Sequence, residues 1–210
     1  ETARIYYLHH VKLICKDRLS INNKNKKHFI LYCLRFALTL QIMIQVKVKD
    51  AALREAAMQD MDSFLRVFID ATKEAIGGEL NADNMQQLSV SQITLLAYDI
   101  LHEEVMDGGF VQLIYNGYGG FIFDNPFAKV LRDWGLRDLA KMLFSVRKLY
   151  KEYGGKIQRN CSDEEFMAMF EQYPEFDDYD DEFVENEEAW TAEVAHYVDE
   201  HIDDFVVIED

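Results

Sequence analysis

The residues of this sequence best placed to do chemistry are a carboxylate and two amides, Glu104, Gln112 and Asn116, which flank a pair of glycines. Such a group could bind a small polar substrate, and His102 just before it raises the question of a zinc site. The two histidines of a zinc-protease helix stand four residues apart, but Met106 occupies that place here. The three polar side chains therefore predict either a small ligand site or a hydrogen-bond network that joins neighbouring helices.

The sequence lacks other signatures of catalysis and metal binding. There is no Gly-x-Ser-x-Gly element, and the glycines at 108–109 and 117–120 lack the flanking strand and the lysine of a phosphate-binding loop. The acidic segment Asp178-x-Asp180-x-Glu182 has Phe183 where a calcium loop needs glycine. We therefore expect a protein with no enzymatic activity, no bound metal and no cofactor.

Helical periodicity predicts how the polar residues are positioned. Apolar residues recur at intervals of three and four up to Gly108-Gly109, where residues without a Cβ can end a helix. A second short helix then places Gln112 and Asn116 on one face. The fold class predicted is therefore all-α, a compact multi-helix domain. The other predicted helices run from Asp50 to Gly77, from Ser89 or Ser91 to the glycine pair, from Asn125 to Trp134, from Leu136 to Tyr153 and from Ser162 to Pro174.

Charge is distributed unevenly along the chain. The net charge is −16, yet residues 1–49 hold ten Lys and Arg against two acids, whereas residues 161–210 hold twenty Asp and Glu and no Lys or Arg. Such an acidic segment repels nucleic acid and attracts basic surfaces. The expected partner is therefore a basic DNA-binding protein or another basic protein, with no direct binding of nucleic acid.

The acidic segment is predicted to be folded rather than disordered. Phe176, Tyr179 and Phe183 interrupt an acidic loop, and apolar residues from Trp190 to Ile202 then recur at helical spacing. Helical acids three or four residues apart lie about 5–6 Å from one another, a spacing commensurate with a row of DNA phosphates. The predicted partner-binding residues of this acidic C-terminal helical region are Asp177, Asp178, Asp180, Asp181, Glu182, Glu185, Glu187, Glu188, Glu193, Asp199, Glu200, Asp203 and Asp204.

The basic composition of residues 1–49 predicts an accessory leader, with the all-helical domain in residues 50–210. No methionine occurs before Met43. Two interpretations of the leader stay open. It lies upstream of a natural start of translation at Met43 or Met58, or it forms a helical hairpin that belongs to the protein.

The cysteines bear on the cellular compartment. Cys15, Cys33 and Cys161 are odd in number, widely spaced and without a Cys-x-x-Cys pair, which favours a reducing environment. The apolar run from Phe29 to Ile44 is interrupted by polar residues, so neither a signal peptide nor a membrane-spanning helix is favoured. We expect a cytoplasmic protein that does not bind membranes.

The segment around the glycine pair also resembles a known family. Its sequence Glu104-Val105-Met106-Asp107-Gly108-Gly109-Phe110-Val111-Gln112, followed by Asn116, is similar to the motif Glu-Val-x-Asn-Gly-Gly-Phe-x-Gln…Asn of the bacterial DNA-mimic protein family, whose shared region is described as a domain of unknown function. Asp107 departs from the usual Asn. The similarity continues through residues 131–135 and the acidic residues 176–183. The motif residues, for which a structural role is expected, are Glu104, Asp107, Gly108, Gly109, Phe110, Gln112 and Asn116.

The resemblance implies an all-helical protein and, for one branch of the family, an acidic dimer that occupies the DNA-binding surface of a transcription factor. Charge and resemblance together predict a non-enzymatic DNA mimic that binds a transcription regulator or another basic protein. The resemblance alone implies a homodimer. Two alternatives stay open. One is an acidic immunity or antitoxin-like protein for a basic toxin. The other is a small hydrolase with its site at the helix break around Gly108-Gly109, which we call the double-glycine corner.

Overall fold

Helix caps and short connections divide the chain into eight α-helices and two short strands within residues 43–158 and 161–210, which are those that the computed structural model describes. The predicted all-α class is confirmed. In chain order the elements are β1 (Lys47–Lys49), α1 (Asp50–Ala57), α2 (Met61–Ile76), α3 (Val90–Tyr115), α4 (Gly119–Phe123), α5 (Phe127–Asp133), α6 (Arg137–Ile157), α7 (Asp163–Gln172), α8 (Asp177–Glu200) and β2 (Val207–Glu209), with 3₁₀ turns at Met85–Gln87, Pro174–Phe176 and Ile202–Asp204.

The two strands form a small parallel pair that joins the two ends of the described chain. Lys47 lies opposite Val207 and Lys49 opposite Glu209. Val46 and Val48 are buried at 1% and 6% exposure. Composition places β1 in the basic leader, but pairing and burial attach it to the helical domain. The rest of the predicted leader, residues 1–42, lies outside the described residues, so the two interpretations of it stay predictions.

The stretch predicted as one helix from Asp50 to Gly77 is two helices, α1 and α2. The side chain of Asp60 accepts a hydrogen bond from the backbone N–H of Ser63, which is an N-cap interaction that starts α2 afresh. Gly77 ends α2 in the left-handed conformation, at φ 80°. The apolar periodicity continues across the break, because both helices turn an apolar face to the same core.

The two longest helices of the described residues, α3 and the acidic helix α8, pack against each other. Helix α3 begins at a capping box in which Ser89 and Gln92 bond each other's backbone N–H groups. It contains a kink at Gly108-Gly109, where the glycine pair predicts a helix end, and its last residues form the predicted short second helix. Asp99 on α3 is 4% exposed and forms ion pairs with Arg66 and Lys73, which join α3 to α2.

The predicted acidic loop around residues 176–183 is wrong, because α8 already begins at Asp177 and continues to Glu200. Phe176 and Phe183 are both fully buried, and their spacing of seven residues, about two helical turns, places them on the same face. Three acids in the first turn also interact favourably with the positive end of the helix dipole. Helix α8 packs against α2 and α3. None of the helices in residues 43–158 and 161–210 combines the length and the apolar character that a membrane crossing requires.

Candidate functional site

Helix α8 turns most of its carboxylates to solvent. Eleven of the thirteen predicted partner-binding residues are exposed, nine on α8 and two in the 3₁₀ turn that follows it. We call this set the acidic row. Its members are Asp177, Asp178, Asp181, Glu182, Glu185, Glu188, Glu193, Asp199, Glu200, Asp203 and Asp204.

An apolar stripe on the opposite side of α8 fixes the orientation of the acidic row. Phe183, Val194 and Val198 are fully buried, and Trp190 is 5% exposed. The Phe183 ring lies 5.5 Å from that of Trp190 and makes an edge-to-face contact at 6.3 Å with Phe110 on α3. Because these rings are locked in the core, α8 cannot rotate about its axis without exposing them. The carboxylates on its outer face are therefore held in a fixed arrangement.

The acidic row is not neutralised by neighbouring cations. Within the part of the chain that the structure describes, no Lys or Arg nitrogen lies within 4.0 Å of its carboxylate oxygens. Glu200 has an imidazole neighbour, since Nε2 of His196 lies 3.4 Å from its Oε1. The 24 residues of α8 extend over about 36 Å, so its nine exposed acids present one negative charge per ~4 Å. One strand of DNA presents one per ~3.4 Å.

Two of the predicted partner-binding residues, Asp180 and Glu187, are half-buried and form hydrogen bonds with residues of α3. Asp180 accepts a hydrogen bond from the backbone N–H of Phe110 at 2.7 Å. Glu187 lies 2.6 Å from Nε2 of His102. These two acids attach α8 to the domain, and the candidate contact surface excludes them.

The contact of Glu187 is part of a polar ladder between α3 and α8, which periodicity did not predict. Tyr98 and His102 stand four residues apart on α3 and face Thr191 and Glu187, four apart on α8. The Thr191 hydroxyl also donates to Glu187 at 3.0 Å. Burial raises the pKa of Tyr98 above its usual value. The sequence does contain a signal for the ladder, because the two polar residues on each helix are four residues apart. This signal can be recognised only once it is known that α3 and α8 pack together.

Asp62 on α2 joins this ladder to make a group of three potential metal ligands. Its carboxylate, Nε2 or Nδ1 of His102 and a carboxylate oxygen of Glu187 lie within 4.8 Å of one another. A structural zinc site uses four protein ligands, and here the imidazole already bonds the Glu187 carboxylate directly. The hydrogen bonds therefore connect α3 and α8, and the exposed Asp62 of α2 lies beside them.

At the double-glycine corner, the kink of α3 is bonded by a residue of α8. Gly109 has φ 70° and ψ −175°, a conformation almost confined to glycine. A Cβ added there would lie 2.5 Å from Oδ2 of Asp180. The absence of a side chain thus lets the Asp180 carboxylate reach the Phe110 N–H, one of the backbone donors left unpaired by the kink.

The polar residues that could do chemistry bond one another at this corner. Asn116 donates to Glu104 at 2.7 Å, and Gln112 donates to Asp107 at 2.8 Å and to Glu104 at 3.5 Å. Each amide therefore bonds, across the kink, a carboxylate that lies five to twelve residues earlier in the chain. The sequence left two interpretations of these residues open, a small ligand site and a hydrogen-bond network, and these contacts support the network.

Replacing Gln112 with Ala should lower the melting temperature by a few degrees. The substitution removes the hydrogen bonds to Asp107 and Glu104, worth roughly 0.5–1.5 kcal/mol each for a well-formed bond. Thermal unfolding followed by circular dichroism measures the change. An unchanged melting temperature would contradict the structural role and favour the ligand-site reading.

Asp180 should make stability depend on pH between about 4 and 6. Burial raises the pKa of Asp180 to about 6, from 3.8; the hydrogen bond from Phe110 opposes this rise, and the charges of Asp177 and Asp181 add to it. A group whose pKa is higher in the folded protein binds more protons there, so its stabilising contribution is present below about pH 3.8 and is lost as pH rises through about 6.

Asp180→Asn keeps an acceptor for the Phe110 N–H and removes the buried charge. Its melting temperature relative to wild type should therefore rise as the pH increases from 4 to 7. Asp180→Ala, which removes the acceptor, should melt below wild type throughout this range. A difference between Asp180→Asn and wild type that does not change with pH would refute the assignment.

The fold and the acidic row define an all-helical protein whose most acidic helix is anchored by aromatic residues and presented to solvent. The chain belongs to the DMP19-like protein family, whose model matches residues 86–201. That segment contains both the double-glycine corner and the whole of α8, and the predicted resemblance is confirmed. The chain is similar to DNA mimic protein DMP19 of Neisseria meningitidis serogroup B (strain ATCC BAA-335 / MC58), with 33% identity over 127 residues, which cover 60% of this chain and 77% of that protein. The name of the neisserial protein describes that protein as a DNA mimic.

Proposed function

We propose that this protein is a non-enzymatic, cytoplasmic DNA mimic whose acidic row occupies the DNA-binding surface of a basic protein, such as a transcription regulator. The observation that carries the proposal is the charge spacing of α8, one exposed carboxylate per ~4 Å over about 36 Å. A surface evolved to contact phosphates with Lys and Arg can make similar ion pairs with such a helix.

The cost of the arrangement supports a binding role. Like charges three or four residues apart destabilise a helix by a few tenths of a kcal/mol per pair, and the described cations lie elsewhere. The apolar stripe and the polar ladder offset this repulsion without using the exposed carboxylates. The name of the similar neisserial protein favours DNA mimicry as the function for which the repulsive acids are retained. The homodimer expected from the resemblance stays a prediction.

A pull-down with the immobilised protein tests the proposal. At low salt it should capture basic DNA-binding proteins from a bacterial extract, and an excess of duplex DNA should release them. Capture should weaken as salt is raised, because the Debye length shortens to about 3 Å at 1 M. The proposal fails if DNA-binding proteins are missing from the captured set at low salt, or if duplex DNA leaves them bound. Capture of a toxin alone would favour the immunity alternative instead.

A further inference from the structure

The outer face of α6 carries a stripe of cations around one aromatic ring, in an otherwise acidic protein. Arg137, Lys141, Phe144, Lys148 and Lys151 follow one another at intervals of four, three, four and three residues, and so lie along one face of the helix. All five side chains are exposed, and the Phe144 ring is 40% exposed. A repulsive row of cations around an uncovered ring has no evident benefit to the isolated fold.

Most of these cations have no carboxylate partner. Lys151 pairs with Asp124 at 2.5 Å. Among the side chains that the structure describes, no carboxylate oxygen lies within 4.0 Å of the charged nitrogens of Arg137, Lys141 or Lys148. Their charges are therefore available to a ligand, although the chain as a whole carries a net charge of −16.

Two depressions meet at Phe144 and Arg132, and both have cationic rims. The first, of about 270 Å³, has an apolar floor that includes Ile122 and Leu143. The second, of about 400 Å³, lies between α5 and α6, beside Ala140. We call the two depressions together the cationic cleft. The cations that line it are Lys129, Arg132, Arg137, Lys141, Arg147 and Lys148.

We propose that the cationic cleft is a second interaction surface, which binds an acidic segment of a partner protein. An apolar side chain of that segment enters the depression beside Phe144, and carboxylates on either side of it pair with Lys141 and Lys148. Charge complementarity identifies the occupant as an anion, and the exposed Phe144 ring distinguishes an acidic peptide from other anions. A phosphate backbone would meet the cations but leave the Phe144 ring uncovered, whereas an acidic peptide with an apolar residue satisfies both.

The net charge of the protein also favours a short acidic peptide over nucleic acid. A long polyanion that extends beyond the cleft meets further surface of a chain whose net charge is −16. A short segment bound in the cleft meets mainly the local cations, because charges more than about 8–10 Å away are screened at physiological salt. The cleft is formed by α4, α5 and α6, and the acidic row by α8 and the turn after it. The two surfaces can therefore be tested separately.

The test uses a fluorescently labelled twelve-residue peptide of Asp and Glu with one central Phe, followed by anisotropy with the full chain. The peptide should bind saturably, and Lys141→Glu/Lys148→Glu should weaken binding by at least ~10-fold. Phe144→Ala should weaken it as well, and a peptide with Ala in place of Phe should bind the wild-type protein less tightly. The matched control, Lys49→Glu/Lys156→Glu, changes the net charge equally with exposed lysines outside the cleft and should bind like wild type. Melting temperatures establish that each variant is folded.

Three outcomes would overturn the proposal. An equal loss of binding in the control pair would show a net-charge effect. Tighter binding of a twelve-nucleotide oligothymidylate that displaces the peptide would identify nucleic acid as the occupant. Absence of peptide binding, together with a self-association in sedimentation that Lys141→Glu/Lys148→Glu abolishes, would identify a second copy of this chain.

Discussion

Replacing Gly109 with Ala is expected to lower the melting temperature by roughly 6–12 °C. A side chain at φ 70° and ψ −175° costs about 1–3 kcal/mol of strain. The new Cβ would also collide with the Asp180 carboxylate, and loss of its hydrogen bond leaves the Phe110 N–H unpaired at a cost of about 1–3 kcal/mol. A total of roughly 3 kcal/mol corresponds to the stated shift at ~2–4 °C per kcal/mol for a domain of this size. Thermal unfolding at neutral pH measures it.

Gly155→Ala is the matched control for this prediction. Gly155 is an exposed helical residue of α6, and a Cβ added there would have no atom within 4 Å. Alanine should therefore stabilise the protein by about 1 kcal/mol, the usual difference between the two residues in a helix interior. If both variants shifted the melting temperature by similar amounts in the same direction, the special role of Gly109 would be refuted.

Neutralising three carboxylates of the acidic row should separate stability from binding. Glu182→Gln, Glu185→Gln and Glu188→Gln remove charges that stand three residues apart and repel one another beyond the first turn of α8, so the triple variant should melt at or slightly above the temperature of wild type. Its binding to a DNA-binding protein captured as described above should fall by at least ~10-fold, because about three ion pairs across the interface are lost. The dependence of binding on salt concentration should also become less steep.

The control for the triple variant removes the same net charge elsewhere. Glu55→Gln, Glu74→Gln and Asp83→Asn affect exposed acids outside α8. If binding depends on a fixed pattern of charges, this control should bind almost like wild type. Equal losses in the two triple variants would mean that net charge alone governs the interaction, and the mimicry proposal would be wrong.

Local signals in the sequence predicted most helix starts correctly. Ser162 and Glu165 form the capping box that their spacing indicates, and of the two serines predicted to start α3 it is Ser89 that caps the helix, with Gln92. The break before α2 was not predicted, since the N-cap Asp60 lies inside a continuous apolar pattern. Periodicity indicates which residues face the core. Two consecutive helices that pack on the same core can therefore show one continuous apolar pattern, which hides the break between them.

Glycine pairs illustrate the limit of local reasoning. Gly108-Gly109 and Gly154-Gly155 both predict a helix end, yet α3 kinks at the first pair and α6 continues through the second. A Cβ on Gly154 would lie 2.7 Å from the ring of Tyr150, so that glycine is explained by close packing and not by a turn. The two cases differ in tertiary contacts, which the sequence does not display.

The candidate site was predicted in outline but not in its attachments. Composition identified the acidic residues, and the buried positions Phe183 and Trp190 explain why they face outward. Charge alone could not distinguish Asp180 and Glu187 from their exposed neighbours. Their roles depend on the Phe110 N–H and the His102 ring, which come from a helix some 70 to 85 residues earlier in the chain.

Competition with DNA tests the central claim most directly. Labelled duplex DNA is bound to a DNA-binding protein that this chain captures, and the unlabelled chain is then titrated in while fluorescence anisotropy is followed. If the acidic row occupies the DNA-binding surface, the anisotropy should fall to that of free DNA, and the concentration needed should rise in proportion to the amount of DNA. An anisotropy that rises as the chain is added would reveal a ternary complex, and one that stays constant would show that the DNA is not displaced; either result would contradict DNA mimicry.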